Sequence, residues 1–138
     1  MRMSAHVRNS QGEHRLEVSS GDHQTVIAIA PKASGFGSGV SGGELLLAAL
    51  ATCYCNDLYR EAGKMGINIS GVEVECSADF PAEGQPAQEV TYSARIRSAA
   101  PESRIRELAA QTDRLAEIHN TVRTAISVRL TAADTQAE

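Results

Sequence analysis

The sequence predicts an α+β domain in which an antiparallel sheet wraps one long central helix. Two observations carry that prediction. Ser41–Gly66, SGGELLLAALATCYCNDLYREAGKMG, has the composition and both end signals of a single helix. Period-two alternation of apolar and polar residues recurs on either side of it. The order that results is strands, long helix, hairpin, helix, strand, and residues 1–138 read as one domain.

Ala5 to Ala30 reads as two or three strands. Leu16 and Val18 alternate with Arg15 and Glu17, and Gln11-Gly12 and Gly21-Asp22 supply turns. Thr25–Ala30 is a near-continuous apolar run, expected to be a more buried strand that Pro31 stops. Ala33–Gly43 is a loop holding five of the eleven glycines. Gly37-Ser38-Gly39-Val40-Ser41-Gly42 matches G-x-G-x-x-G, but Pro31 and a long spacer separate it from the preceding strand. Gly39-Val40-Ser41-Gly42-Gly43 matches the G-x-S-x-G nucleophile elbow, which needs a buried strand running directly into the turn. Both matches are set aside, and Ser41 is assigned to helix capping.

Ser41 and Glu44 form a capping box, in which each side chain accepts the other's backbone N–H. Lys64 in the last turn and Gly66 just beyond it mark the far end. Leu45–Ala51 is apolar on every side, so this half is expected to enter the interior. The run falls well short of the ~18 residues a membrane span requires. With aromatics at only 4% and no Trp, the chain has little bulk to wrap such a helix, which predicts a homodimer.

After the helix, Val72, Val74, Cys76 and Ala78 alternate with Glu73, Glu75, Ser77 and Asp79. Val90, Tyr92, Ala94 and Ile96 form the antiparallel partner. Pro101 to about Glu117 is a second helix, with Ile105, Leu108, Ala109, Thr112, Leu115 and Ala116 at helical spacing. Val122–Leu130 alternates as a last strand, and the tail after Ala132 is polar.

A net charge of −4 and the lack of any Lys/Arg run argue against nucleic-acid binding. The polar N-terminus offers no signal-peptide core, so a cytoplasmic location and reduced thiols are expected. Cys53, Cys55 and Cys76 do not match zinc spacings, and His6, His14, His23 and His119 are scattered; no metal or other cofactor is expected.

Cys53 shares an ideal-helix face with Leu46, Ala49, Leu50, Asp57 and Arg60. A nucleophilic thiol must be ionised, and the ordinary pKa of about 8.5 has to be lowered by nearby cations. Asp57, one turn on, opposes that; Arg60 can pair with Asp57 or lean toward the sulfur. The helix start is too distant for its dipole to help.

ELLLAALATCYCNDLYREAGKMGINISGVEVE, with the Gly-rich lead-in and the closing HNTVRTAISVRL, resembles the osmotically inducible protein C / organic hydroperoxide resistance (OsmC/Ohr) family over nearly the whole chain. The resemblance implies an intertwined homodimer with active sites at the subunit interface. It also implies a peroxidatic cysteine on the central helix, matched here by Cys53, assisted by a Glu near the helix start and an Arg from the N-terminal strands. Gly43 falls where Ohr-type members place that Glu, and Glu44 is the candidate here, although an ideal helix puts it opposite Cys53. Arg8 and Arg15 both answer for the Arg. Arg15 and His119 are the candidate substrate-binding residues, each with an ordinary structural role as the alternative.

The family's resolving cysteine precedes a His-x-Thr-Leu-like segment. His119-Asn120-Thr121-Val122 matches it and leaves Ala116 in the cysteine's place. Cys55 points to another face and Cys76 sits on a strand's apolar face. The expected activity is therefore one-cysteine reduction of organic hydroperoxides, through a Cys53 sulfenic acid and an external thiol reductant. The alternative is a non-catalytic dimer that binds a small apolar ligand or senses oxidants.

Overall fold

A computed structural model describes all residues, Met1–Glu138. The chain forms two compact units, Met1–Leu46 and Leu47–Glu138. Its architecture is α+β, with antiparallel sheets and a central helix, as the sequence predicts.

In the first unit, β1 (Met3–Ser10), β2 (Glu13–Ser20) and β3 (His23–Ile27) make a three-stranded antiparallel sheet in the order β1-β2-β3. Register places Ser10 opposite Glu13 and Ser20 opposite His23, so Gln11-Gly12 and Gly21-Asp22 are two-residue turns. Contrary to the expectation for Thr25–Ala30, β3 ends at Ile27 and is exposed along its whole length. A continuous apolar run signals a surface that needs covering, and in this chain the edge strand is left bare.

The glycine loop folds back on itself. Lys32 N–H donates to Gly37 O at 3.0 Å, Gly37 N–H to Asn9 Oδ1 at 2.9 Å and Gly39 N–H to Ala30 O at 2.7 Å. A Cβ on Gly39 would stand 2.8 Å from Ala30 O, which explains that glycine. With Gly37 and Gly39 N–H already committed, the loop is not a phosphate cradle.

Helix α1 runs Gly42–Met65. Its capping box forms as predicted: Glu44 N–H donates to Ser41 Oγ at 3.1 Å and Ser41 N–H to Glu44 Oε1 at 3.0 Å. Gly66 takes φ +67°, and Ile67 N–H reaches back to Ala62 O at 2.9 Å while Gly66 N–H bonds Gly63 O. This is the Schellman arrangement, with Ile67 and Ala62 both in the core.

In the second unit, β4 (Ile69–Asp79) and β5 (Gln88–Ser98) pair antiparallel, with Val72 opposite Ile96 and Cys76 opposite Tyr92. Helix α2 spans Glu102–Leu115. Tyr54, Leu58, Ala62, Ile67 and Leu108 form the buried centre, and Val72, Val74, Tyr92, Ile96 and Ile105 pack around it. The core thus gathers on the C-terminal half of α1, not on the all-apolar N-terminal half that composition favours. Of Leu45–Ala51 only Leu50, at 3% exposed, is buried, while Leu46 is 36% exposed.

A second difference lies at the C-terminus. The second helix stops at Leu115, Ala116 turns to φ −66°, ψ 111°, and α3 takes Glu117–Arg123. The expected strand Val122–Leu130 does not form; Ile126, Val128 and Leu130 are 61%, 94% and 86% exposed. Alternation specifies a strand only where a neighbouring strand offers backbone partners, and within one chain this segment has none. Thr121 and Asn120 meanwhile support a helix, by Thr121 Oγ1 to Glu117 O at 2.7 Å and Asn120 N–H to Ala116 O at 3.0 Å.

Leu58 and Leu108 are fully buried, so Leu58→Ala or Leu108→Ala is expected to cost about 2–5 kcal/mol. Denaturant unfolding of the purified chain measures it.

Candidate functional site

Around Cys53 the second unit assembles groups from two helices. Cys53 is half-buried near the middle of α1, and its thiol donates to Asp57 Oδ2 at 3.6 Å, one turn on. The other oxygen, Oδ1, accepts from Arg60 Nη1 at 3.1 Å. The same Nη1 donates to Glu117 Oε1 at 3.0 Å, and Arg60 Nε donates to Glu61 Oε2 at 2.8 Å. Of the two roles open to Arg60 in the sequence, the structure selects carboxylate pairing.

The break at Ala116 is what brings Glu117 here. Ala116 is fully buried, and the reversal it makes between α2 and α3 turns the first residues of α3 toward Cys53.

Electrostatics follow from this geometry. Burial pushes the Cys53 thiol up; the Ile118 N–H pulls it down, while the Asp57 and Glu117 charges raise it further. Burial and the neighbouring Glu117 raise Asp57, against the pull of Arg60. Glu117 is lowered by its own backbone N–H, then by the interaction with Asp57 and by Arg60. Asp57 is therefore a stronger base than an ordinary aspartate. Cys53, Asp57 and Glu117 bring a sulfur and two carboxylate oxygens within 4.8 Å of one another. Arg60 already lies on both carboxylates and neutralises them.

Glu61, only 1% exposed, was not legible as buried. Arg60 and Lys64 both bond its Oε2, at 2.8 and 3.0 Å, and Gln111 Nε2 bonds Oε1 at 3.2 Å. These hydrogen bonds lower its pKa to about 2. The i,i+3 spacing to Lys64 is the one sequence signal that marked the pair.

His119 lies in α3, buried at 4% exposure, its ring edge-to-face with Tyr92 (centroids 4.6 Å apart) and tilted against Tyr54 (6.0 Å). Neither ring nitrogen has a hydrogen-bond partner. The surrounding tyrosines are anchored, Tyr54 Oη donating to Ala109 O at 2.8 Å and Tyr92 Oη to Asp113. Arg123 Nη2 holds the same Asp113 at 2.7 Å. Burial, with Asp113 adding, pushes Tyr54 up to about 12.

In the first unit, Arg15 pairs with Glu17 at 3.6 Å and stands opposite Arg8 in the β1–β2 register. Glu44 is engaged by Ser41, and these bonds lower its pKa. Cys55 and Cys76 are half-buried free thiols, and burial raises Cys76.

Burial and Arg123 lower the His119 pKa below 6.5, against a smaller pull from Asp113. The unfolded chain takes up that proton near pH 6.5 and the folded chain only lower. Stability is then complete above about pH 6.5 and falls as pH drops toward the folded value. Unfolding measured from pH 8 to 5 is expected to show a steeper loss in wild type than in His119→Phe.

Residues 35–131 match the family of OsmC-like proteins. No curated protein sequence matches significantly. Solved structures share the fold. An OsmC-like protein from Mycoplasma pneumoniae is 22% identical, with 88% of this chain and 89% of that one covered and a TM-score of 0.61. An organic hydroperoxide resistance protein OsmC from Legionella pneumophila is 16% identical over 89% and 90%, TM-score 0.59. The organic hydroperoxide resistance protein OhrB of Bacillus subtilis is 16% identical over 91% and 93%, TM-score 0.55.

Proposed function

The chain belongs to the OsmC-like family, and from that premise we propose that it is a homodimeric, thiol-dependent reductase of organic hydroperoxides acting through Cys53. A peroxide-defence role is supported at the level of the family, some of whose structurally similar proteins are named for organic hydroperoxide resistance. The observation that carries the finer reading is the position of Cys53, half-buried on the central helix with its thiol hydrogen-bonded to Asp57 Oδ2.

The sulfur attacks the O–O bond, alcohol leaves and Cys53 becomes a sulfenic acid. Ala116 stands where the resemblance expects a second cysteine, so an external thiol restores Cys53. Apolar Leu46, Ala49 and Leu50 on the same helix face favour an organic peroxide over hydrogen peroxide. The only cation drawn into the Cys53 cluster, Arg60, is committed to three carboxylates. A second copy would then supply what one chain lacks. Its Arg8 or Arg15 is the candidate cation for Cys53, with Glu44 and His119 as the further candidates at the site. Exposed Val26, Ile27 and Leu46 are surface that dimerisation would cover.

One observation favours the second reading, an oxidant sensor or apolar-ligand binder. Burial and two carboxylates hold the thiol protonated in the single chain.

Wild type supplied with a thiol is expected to consume an organic hydroperoxide, and Cys53→Ser to lose this completely. Mass spectrometry should find one oxygen on Cys53 after one equivalent, removed again by thiol; an unmodified Cys53 would leave only the binding reading. Sedimentation should give twice the 14.6 kDa chain mass.

A further inference from the structure

We propose that Asp57 is a catalytic residue of the Cys53 reaction, taking the thiol proton on Oδ2 and returning it to the departing alkoxide. The proposal rests on the hydroperoxide-reductase reading and adds the group that moves the proton.

The geometry is that of a carboxylate held by one oxygen and open at the other. Arg60 Nη1 fixes Oδ1 at 3.1 Å, which leaves Oδ2 directed at the Cys53 thiol, 3.6 Å away. Asp57 is 6% exposed, so water does not compete strongly for Oδ2. The charged groups that face it are few: Cys53 and Arg60 from α1, and Glu117 from α3. Glu117 shares the Arg60 Nη1 and repels added negative charge, which makes Asp57 the more willing proton acceptor of the two. Glu61 lies behind Arg60 and anchors the guanidinium through Nε.

In the reaction, Sγ gives its proton to Asp57 Oδ2 and an electron pair to the terminal oxygen of R–O–O–H. The O–O bond breaks and the S–O bond forms, leaving Cys53 as S–OH. The alkoxide takes the proton from Asp57 and departs as R–OH, and Asp57 is again a carboxylate. Sulfur loses two electrons and the peroxide gains them. This resolves the apparent conflict at the site. A carboxylate beside the thiol holds it protonated at rest and supplies the acid that the leaving group needs.

Asp57→Asn separates this role from a structural one. Oxidation of Cys53 by organic hydroperoxide is expected to slow by about 10²-fold, the usual scale of a positioned acid–base group. Alkylation of Cys53 by iodoacetamide at pH 7 is expected to speed up, because a charge that keeps the thiol protonated is gone. A structural disturbance would move both rates together, and that result, or an unchanged oxidation rate, overturns the proposal. Should Asp57→Asn not fold, wild type decides through a series of peroxides with increasingly basic leaving groups. A shallow dependence is expected, since the leaving oxygen is protonated; a slope as steep as that of free cysteine overturns it. Wild type in which Cys53 gains no oxygen fails one step earlier and removes the hydroperoxide reading itself.

Discussion

One guanidinium organises the second unit. Arg60 bonds Asp57, Glu61 and Glu117 at once, and two of those carboxylates are almost wholly out of water. Buried acids without a partner are costly enough to change protonation state or break the packing. Arg60 is itself partly exposed, so it keeps much of its own hydration while neutralising groups that have lost theirs. Because it comes from α1 and Glu117 from α3, the same contact fixes where the short helix lies. The reversal at Ala116 delivers Glu117 to that contact, and the same short helix sets His119 against Tyr54 and Tyr92.

The chemistry at Cys53 follows from the same arrangement. A thiol next to two carboxylates is protected from indiscriminate oxidation, since only the thiolate reacts quickly. On the proposed reading, reactivity depends on something that removes the proton at the moment of attack, and on a cation other than Arg60, which is bound to three carboxylates. Selectivity would come from the bound peroxide being the event that moves the proton, rather than from a permanently ionised sulfur.

What could be read in advance divides by range. Both ends of α1 were legible because a capping box and a Schellman close are each written in a few adjacent residues. The β4–β5 hairpin was legible because alternation and turn residues agree. The Cys53, Asp57 and Arg60 face was legible because i,i+4 and i,i+3 spacings leave little freedom. Glu117 was not, since only the break at Ala116 brings it over, and nothing local distinguishes that alanine from the helical residues before it. The burial of Glu61 was not legible because it depends on Gln111 of α2, distant in sequence, bonding its Oε1. Leu45–Ala51 was read for its apolar content and Val122–Leu130 for its alternation, signals that ask for cover or a paired strand without saying whether the same chain provides it.

Ile126, Val128 and Leu130 project in the open from a stretch of backbone with no ladder to join. Such a stretch is what proteases engage and what stray sheet edges capture. In the single chain this stretch is thus the part most open to cleavage and to capture by an unpaired strand edge.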